Sequence, residues 1–121
     1  MAQFVAAMAL VAPIPSPVMS PAVLKLECDG ACQRRVINDR RRAAIRPYRV
    51  WLRNLRQCEA TGNYRAVSPS GLYTGAYQFD DQTWRSVGGS GRAMHAGKVE
   101  QDWRAVLLRK RRGVAPWPVC G

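Results

Sequence analysis

A chain of 121 residues holds one domain at most, with room for a tail. Its 19 Lys and Arg against 8 Asp and Glu give a formal net charge of +11, which points to polyanionic company (nucleic acid, anionic lipid or an acidic cell-wall polymer) and says nothing about fold. The apolar run from Phe4 to Ala12 is far too short to span a bilayer, so no transmembrane segment is expected.

Residues 1–23 form an apolar, proline-rich leader. Its apolar run has the length of a signal-sequence core, and Pro13, Pro15, Pro17 and Pro21 stop any long helix after it. A positive n-region and a clean small-x-small cleavage site are missing, so the segment reads as a degenerate or truncated signal. The cysteines agree with export: Cys28, Cys32, Cys58 and Cys120 are an even set, which in a small secreted chain means two disulfides in any of three pairings. Zinc is the poorer reading, because "CDGAC" offers two thiols and His95 is the only histidine. No metal and no cofactor are expected. The chain is expected to be secreted or associated with the cell wall, and monomeric.

Residues 24–46 read as a basic helical segment, either a linker or a helix laid against the domain that follows. Leu24, Leu26, Val36, Ile37 and Ile45 make too thin a stripe to build a core, while "RRVINDRRRAAIR" carries six arginines between Arg34 and Arg46. Pro47 suits the first turn of a new helix. From there Tyr48, Trp51, Leu52, Leu55 and Cys58 recur at helical spacing, with Glu59 on or beside the same face, one turn after Leu55. Gly62 and Asn63 stop that helix.

"SPSGLYTGAYQF" (68–79) reads as a strand–turn–strand. Strand alternation would put Tyr73 and Tyr77 on one face with Gly75, and Gln78 on the other. Asp80 is the expected N-cap of a short helix that ends at Gly88 and Gly89, with a loop after it that holds His95. A long helix from Lys98 to Arg112 should turn Val99, Trp103, Val106 and Leu107 inward, with Trp84 and Trp103 filling the core. The tail "PWPVCG" is too rich in proline to be regular and would wrap back over the body if Cys120 is pinned. The sum is an α+β domain over residues 47–121, mostly helical with a short β-hairpin and stapled by disulfide.

Four motifs, "QCEATGNY", "GAYQF", "TWRSVGG" and the ending "PWPVCG", stand in this order. Together they closely resemble the catalytic domain of resuscitation-promoting factors, the actinobacterial transglycosylase-like proteins of lysozyme fold that cleave peptidoglycan. The resemblance covers about residues 48–121 and does not reach residues 1–45. It implies a small lysozyme-like domain with Glu59 as the single catalytic acid and a disulfide from Cys58 to Cys120, and it places cleft residues at Gln78 and Thr83. Thr61 stands where the family has a glycine, Tyr64 where it has a tryptophan, and Arg112 where many members have a glutamine. The loop between Asn63 and Gly75 is one residue longer.

Glycosidic cleavage needs a carboxylic acid still protonated near neutral pH. Burial against apolar groups raises a glutamate pKa, and so does the negative end of its own helix. Glu59 beside the Trp51/Leu55 face fits both, with Arg56 expected to point to solvent. Asp80 and Asp81 are the candidate second carboxylates, but at a helix start they read first as caps. With one acid, the expected route is lytic transglycosylation at the β-1,4 bond between N-acetylmuramic acid and N-acetylglucosamine, without an enzyme nucleophile. Asn63, Tyr64, Tyr73, Tyr77, Gln78 and Thr83 are the candidate sugar-binding residues, since glycan clefts use flat aromatic faces and amide hydrogen bonds. Two other readings compete: a non-catalytic wall-binding module of the same fold, and a basic nucleic-acid binder, for which no recognition motif is present. The expected partners are glycan strands and anionic wall polymers, with no specific nucleic acid.

Overall fold

A computed structural model describes residues 28–121. The leader and the first residues of the basic segment lie outside the described residues.

Helix α1 (Gly30–Ile45) starts on Asp29, whose side chain accepts from Cys32 N at 2.8 Å. This satisfies one of the amides that a helix start leaves without a partner. A Cys28–Cys32 disulfide encloses that cap. Pro47 then sits in a 3-10 turn (Arg46–Tyr48) that leads directly into α2 (Arg49–Ala60), so the proline modulates a helical path instead of breaking it.

The basic segment is docked, not a linker. Arg41 lies over the Trp103 ring at 4.5 Å and reaches Glu100 at 4.0 Å, and Ile45 is 8 % exposed within the core. The thin stripe suffices because α4 (Lys98–Arg112) supplies most of the apolar surface between them.

Helix α2 ends in a left-handed pair, Thr61 at φ 50° and Gly62 at φ 77°, whose amides return to Gln57 O (3.1 Å) and Arg56 O (3.0 Å). Left-handed backbone is crowded for a β-branched residue by about 1 kcal/mol or more. Thr61→Gly should therefore stabilise the domain by about 1 kcal/mol, read as a higher urea midpoint at unchanged m-value. A midpoint that stays or falls would mean that the Thr61 Oγ1 bond to Ala60 O outweighs the strain.

Strands β1 (Tyr73–Thr74) and β2 (Phe79–Asp80) pair antiparallel, Tyr73 opposite Asp80 and Thr74 opposite Phe79. Gly75 in the turn has φ 82°, and a Cβ there would stand 2.5 Å from Gln101 Oε1, so only glycine fits. That Gln101 is wholly buried and fully engaged: Oε1 accepts from Ala76 N (2.9 Å), and Nε2 donates to Tyr64 O (3.0 Å) and Ala96 O (2.9 Å). One amide thus fastens the hairpin turn and two loops to α4.

Asp80 caps α3 (Asp81–Ser86) as expected, and the Trp84 that α3 carries is fully buried. The core joins Leu52 and Leu55 of α2 with Ala76, Tyr77, Phe79, Trp84, Ala105, Leu108 and Trp117. The buried face of α4 is rotated from the expected one. Gln101, Arg104, Ala105 and Leu108 turn inward with Val106, while Val99, Trp103 and Leu107 are only partly buried. The expectation counted only apolar positions, and polar Gln101 and Arg104 were not among them. Arg104 is held inside by Glu100 (2.8 Å), by Val87 O, and by the Trp84 and Trp103 rings at 5.3 and 5.1 Å.

The tail wraps back over the body. A Cys58–Cys120 disulfide spans 5.8 Å between Cα atoms, and Trp117 inserts its ring against Trp51 and Phe79 with Nε1 donating to Tyr77 O at 3.0 Å.

Candidate active site

Glu59 projects from the last turn of α2 into a groove of about 340 Å³ that it shares with Tyr73, Gln78 and Pro116 through Cys120. The walls are the hairpin and the returned tail, so the groove exists because Trp117 and the disulfide hold residues 116–120 in place. Burial pushes the Glu59 carboxyl above its ordinary value. The tail lines the groove beside it, a surface that the helix periodicity did not suggest. Glu59 makes no hydrogen bond or ion pair among the described residues.

The nearest cation in sequence, Arg56, does not point to solvent. It turns to another cluster, with Nη1 donating to Tyr77 Oη at 3.4 Å and its guanidinium 6.0 Å from the Tyr64 ring centroid. The acid is therefore left without the counter-charge that would lower its pKa.

The groove continues past Tyr73, Gln78 and Trp117 into a section of about 330 Å³ lined also by Asp80, Thr83, Leu108 and Arg112. Tyr73 is 45 % exposed and offers an accessible ring. Gln78 has φ 50° and Nε2 donating to Gly75 O at 2.9 Å. Thr83 is tied to Asp80, which accepts from Thr83 N (2.7 Å) on one oxygen and from Thr83 Oγ1 (2.9 Å) on the other. Both oxygens of Asp80 thus serve the helix cap. Asp81 pairs with Arg92 at 3.3 Å. Neither aspartate lines the section that holds Glu59.

Of the other sequence candidates, Tyr77 borders the far section without exposed surface, and Asn63 and Tyr64 line neither section. Tyr77 is wholly buried, and its hydroxyl donates to Asp102 Oδ1 at 2.5 Å, where Tyr64 also donates at 2.8 Å. Burial first, then the bond to Asp102, raises Tyr64 to about 12 and Tyr77 further still, so both remain donors. Asn63 closes the turn after α2, its Oδ1 accepting from Arg65 N at 2.9 Å. His95 is exposed at the end of a 3-10 turn outside the groove.

The expected pairing of faces is thus reversed. Tyr73 and Gln78 flank the section that holds Glu59, while Tyr77 borders only the far section and is fully buried, because positive φ at Gly75 and Gln78 interrupts the period-two alternation. Sequence reading named the tail only as a possible wrap and missed it as a wall. The signal available was a terminal cysteine preceded by a tryptophan between two prolines. Among the described residues no three His, Cys, Asp or Glu side chains cluster in a way that could hold a metal ion.

Helices around a short hairpin, with one half-buried glutamate at the edge of a long groove, make this a small lysozyme-like domain. The chain belongs to the transglycosylase-like domain family, whose profile matches residues 47–120. It is 42 % identical over 65 residues to resuscitation-promoting factor RpfE of Mycobacterium tuberculosis, covering 54 % of this chain and 37 % of that protein. Identity to the resuscitation-promoting factor Rpf of Micrococcus luteus is 38 % over 66 residues, 54 % of this chain and 29 % of that one. Against RpfB of Mycolicibacterium smegmatis it is 42 % over 69 residues, 54 % and 19 % respectively. Each match spans well under half of the relative's own length. The resemblance read from the four motifs is borne out, and α1 lies before the matched region.

Proposed function

We propose that this domain is a peptidoglycan-cleaving enzyme that acts on the β-1,4 bond between N-acetylmuramic acid and N-acetylglucosamine, with Glu59 as its only acid–base group. The observation that carries this reading is a desolvated, unpartnered carboxyl at the edge of a groove of two adjoining sections, about 340 and 330 Å³. The protonated Glu59 donates to the glycosidic oxygen as the C1–O bond breaks. Its carboxylate then takes the proton of the muramic acid 6-hydroxyl, which closes on C1 and leaves a 1,6-anhydro sugar. The capped Asp80 and paired Asp81 favour this route over one that needs a second carboxylate.

Tyr73 and Gln78 supply a ring and an amide to the sugars, and Thr83 shapes the far section through its tie to Asp80. The domain acts outside the cell or on the wall, a reading that two disulfides support. No helix among the described residues is long and apolar enough to cross a membrane. The exposed arginines of α1 would add retention on anionic wall polymers, screened as salt rises.

Mass spectrometry of digested muropeptides tests the reaction. Anhydro products are expected, lighter by one water than the reducing ends that hydrolysis leaves. The pH profile gives a second test. The working form of Glu59 is the protonated one and its pKa is raised, so kcat/KM should be highest on the acid side and fall along one limb as pH climbs through that raised value. A bell with an ascending carboxylate limb would instead demand a second carboxylate that works ionised, as base or nucleophile.

A further inference from the structure

Four basic residues end α4 in succession, and three are held by the protein. The Arg109 guanidinium lies 4.4 Å from the Trp51 ring centroid, and the Lys110 ammonium 5.9 Å from that of Tyr48. Arg111 Nη1 donates to Ser86 O at 2.6 Å. Arg112 is different: it makes no hydrogen bond, ion pair or ring contact among the described residues, and it lines the far section of the groove with Tyr73, Gln78 and Thr83. The carboxylate in that section, Asp80, spends both oxygens on Thr83 and forms no ion pair with it. A cation in a concavity walled by Leu108, Pro116 and Trp117 is different from one on an open helix face. Arg112 is exposed at the mouth of that concavity, so a ligand lying in the groove can supply its counter-charge.

We propose that Arg112 forms a carboxylate subsite at the far end of the groove, reading the acid carried on the lactyl side chain of a muramyl residue. This rests on the glycan reading above. The N-acetyl sugars of such a strand are neutral, and its carboxylates hang from the 3-O-lactyl ether. They are the lactyl acid itself where no peptide is attached, and the acids of the peptide stem where one is. A guanidinium fork matches a carboxylate with two parallel hydrogen bonds, which an ammonium cannot reproduce. The subsite seats the strand with an acid-bearing residue toward α4, while Glu59 works at the other end.

The test uses the full chain carrying Glu59→Gln, so that strands are bound without being cut. Calorimetry gives Kd for three soluble glycan strands: with acidic peptide stems, with amidated stems, and stripped to the free lactyl acid. Adding Arg112→Gln should shrink the preference for acidic over amidated strands about ten-fold, as expected for one charge-assisted pair. Arg112→Lys should restore part of it, and Arg111→Gln should leave it unchanged. Arg112-dependent affinity for stripped strands identifies the lactyl acid as the group read. The same dependence confined to acidic stems identifies the peptide. An unchanged acidic-over-amidated preference together with an unchanged affinity for stripped strands, or an equal loss on all three strands, would overturn the subsite while leaving the glycan reading intact. If the protein binds none of the strands, the glycan reading fails and the subsite with it.

Discussion

Glu59→Gln should lower peptidoglycan cleavage by about 10²–10⁴-fold, the usual cost of losing a general acid–base group. The amide keeps the shape of the side chain but can neither give nor recover a proton, so both halves of the proposed reaction stop. Stability should respond in the opposite sense. A carboxyl whose folded pKa is raised binds its proton more tightly in the native state than in the unfolded one. Its contribution to stability is thus complete at low pH and is lost as pH rises from the ordinary value of 4.5 through the raised one. Glu59→Gln removes that slope, and the variant should be as stable as the parent at acid pH and somewhat more stable at neutral pH. Asp80→Asn and Asp81→Asn are the controls. Asp80→Asn loses at most a cap's worth of stability, about 1 kcal/mol, and both keep most of the activity. An active Glu59→Gln beside a dead aspartate variant would move the catalytic acid elsewhere. Three active variants would place the catalysis on another group, and a parent that binds the wall without cleaving it would leave a wall-binding module as the better account.

Glu59 was legible in the sequence because helix periodicity is strong between Tyr48 and Cys58, and the Gly62–Asn63 stop fixes where the last turn falls. The cap at Asp80 was legible for the same kind of local reason. What failed needed tertiary knowledge. Period-two alternation cannot foresee a tight turn with Gln78 at φ 50°, so Tyr77 and Gln78 exchanged places. A count of apolar positions passes over Gln101 and Arg104, yet each is buried because its partners, Ala76 N and Tyr64 O for one and Glu100 and Val87 O for the other, come from distant segments or the preceding turn. The docking of α1 was hidden for a related reason. Its own apolar stripe is thin, and the decisive surface, Trp103 with Glu100, belongs to α4. Arg112 was visible as a residue, but only the groove shows it is uncommitted while its three neighbours are held.

Removing the Cys58–Cys120 disulfide, as a double serine variant, should cost about 4 kcal/mol, which is the loop-entropy value for a closed segment of 62 residues. For one small domain that is a large part of the whole stability. The loss should also reach the chemistry. Cys58 is the residue before Glu59, and Cys120 ends the segment that forms the groove wall, so one covalent link fixes the acid and its desolvating surface together. Once residues 118–121 are released, water reaches the carboxyl and its pKa relaxes toward the ordinary value. The descending limb of the pH profile should then move to lower pH, and neutral-pH activity should fall in variants that remain folded. Trp117 keeps its own anchor at Tyr77 O, so a folded fraction should survive at low temperature for this measurement. Loss of stability with an unmoved pH limb would show that the tail braces the fold without tuning Glu59. A double variant as stable as the parent would show that Trp117 and the proline turn hold the tail unaided. Cys28 and Cys32 provide the contrast. Their bridge closes a single helical cap four residues long in sequence, and its removal should leave both the limb and the catalytic rate in place.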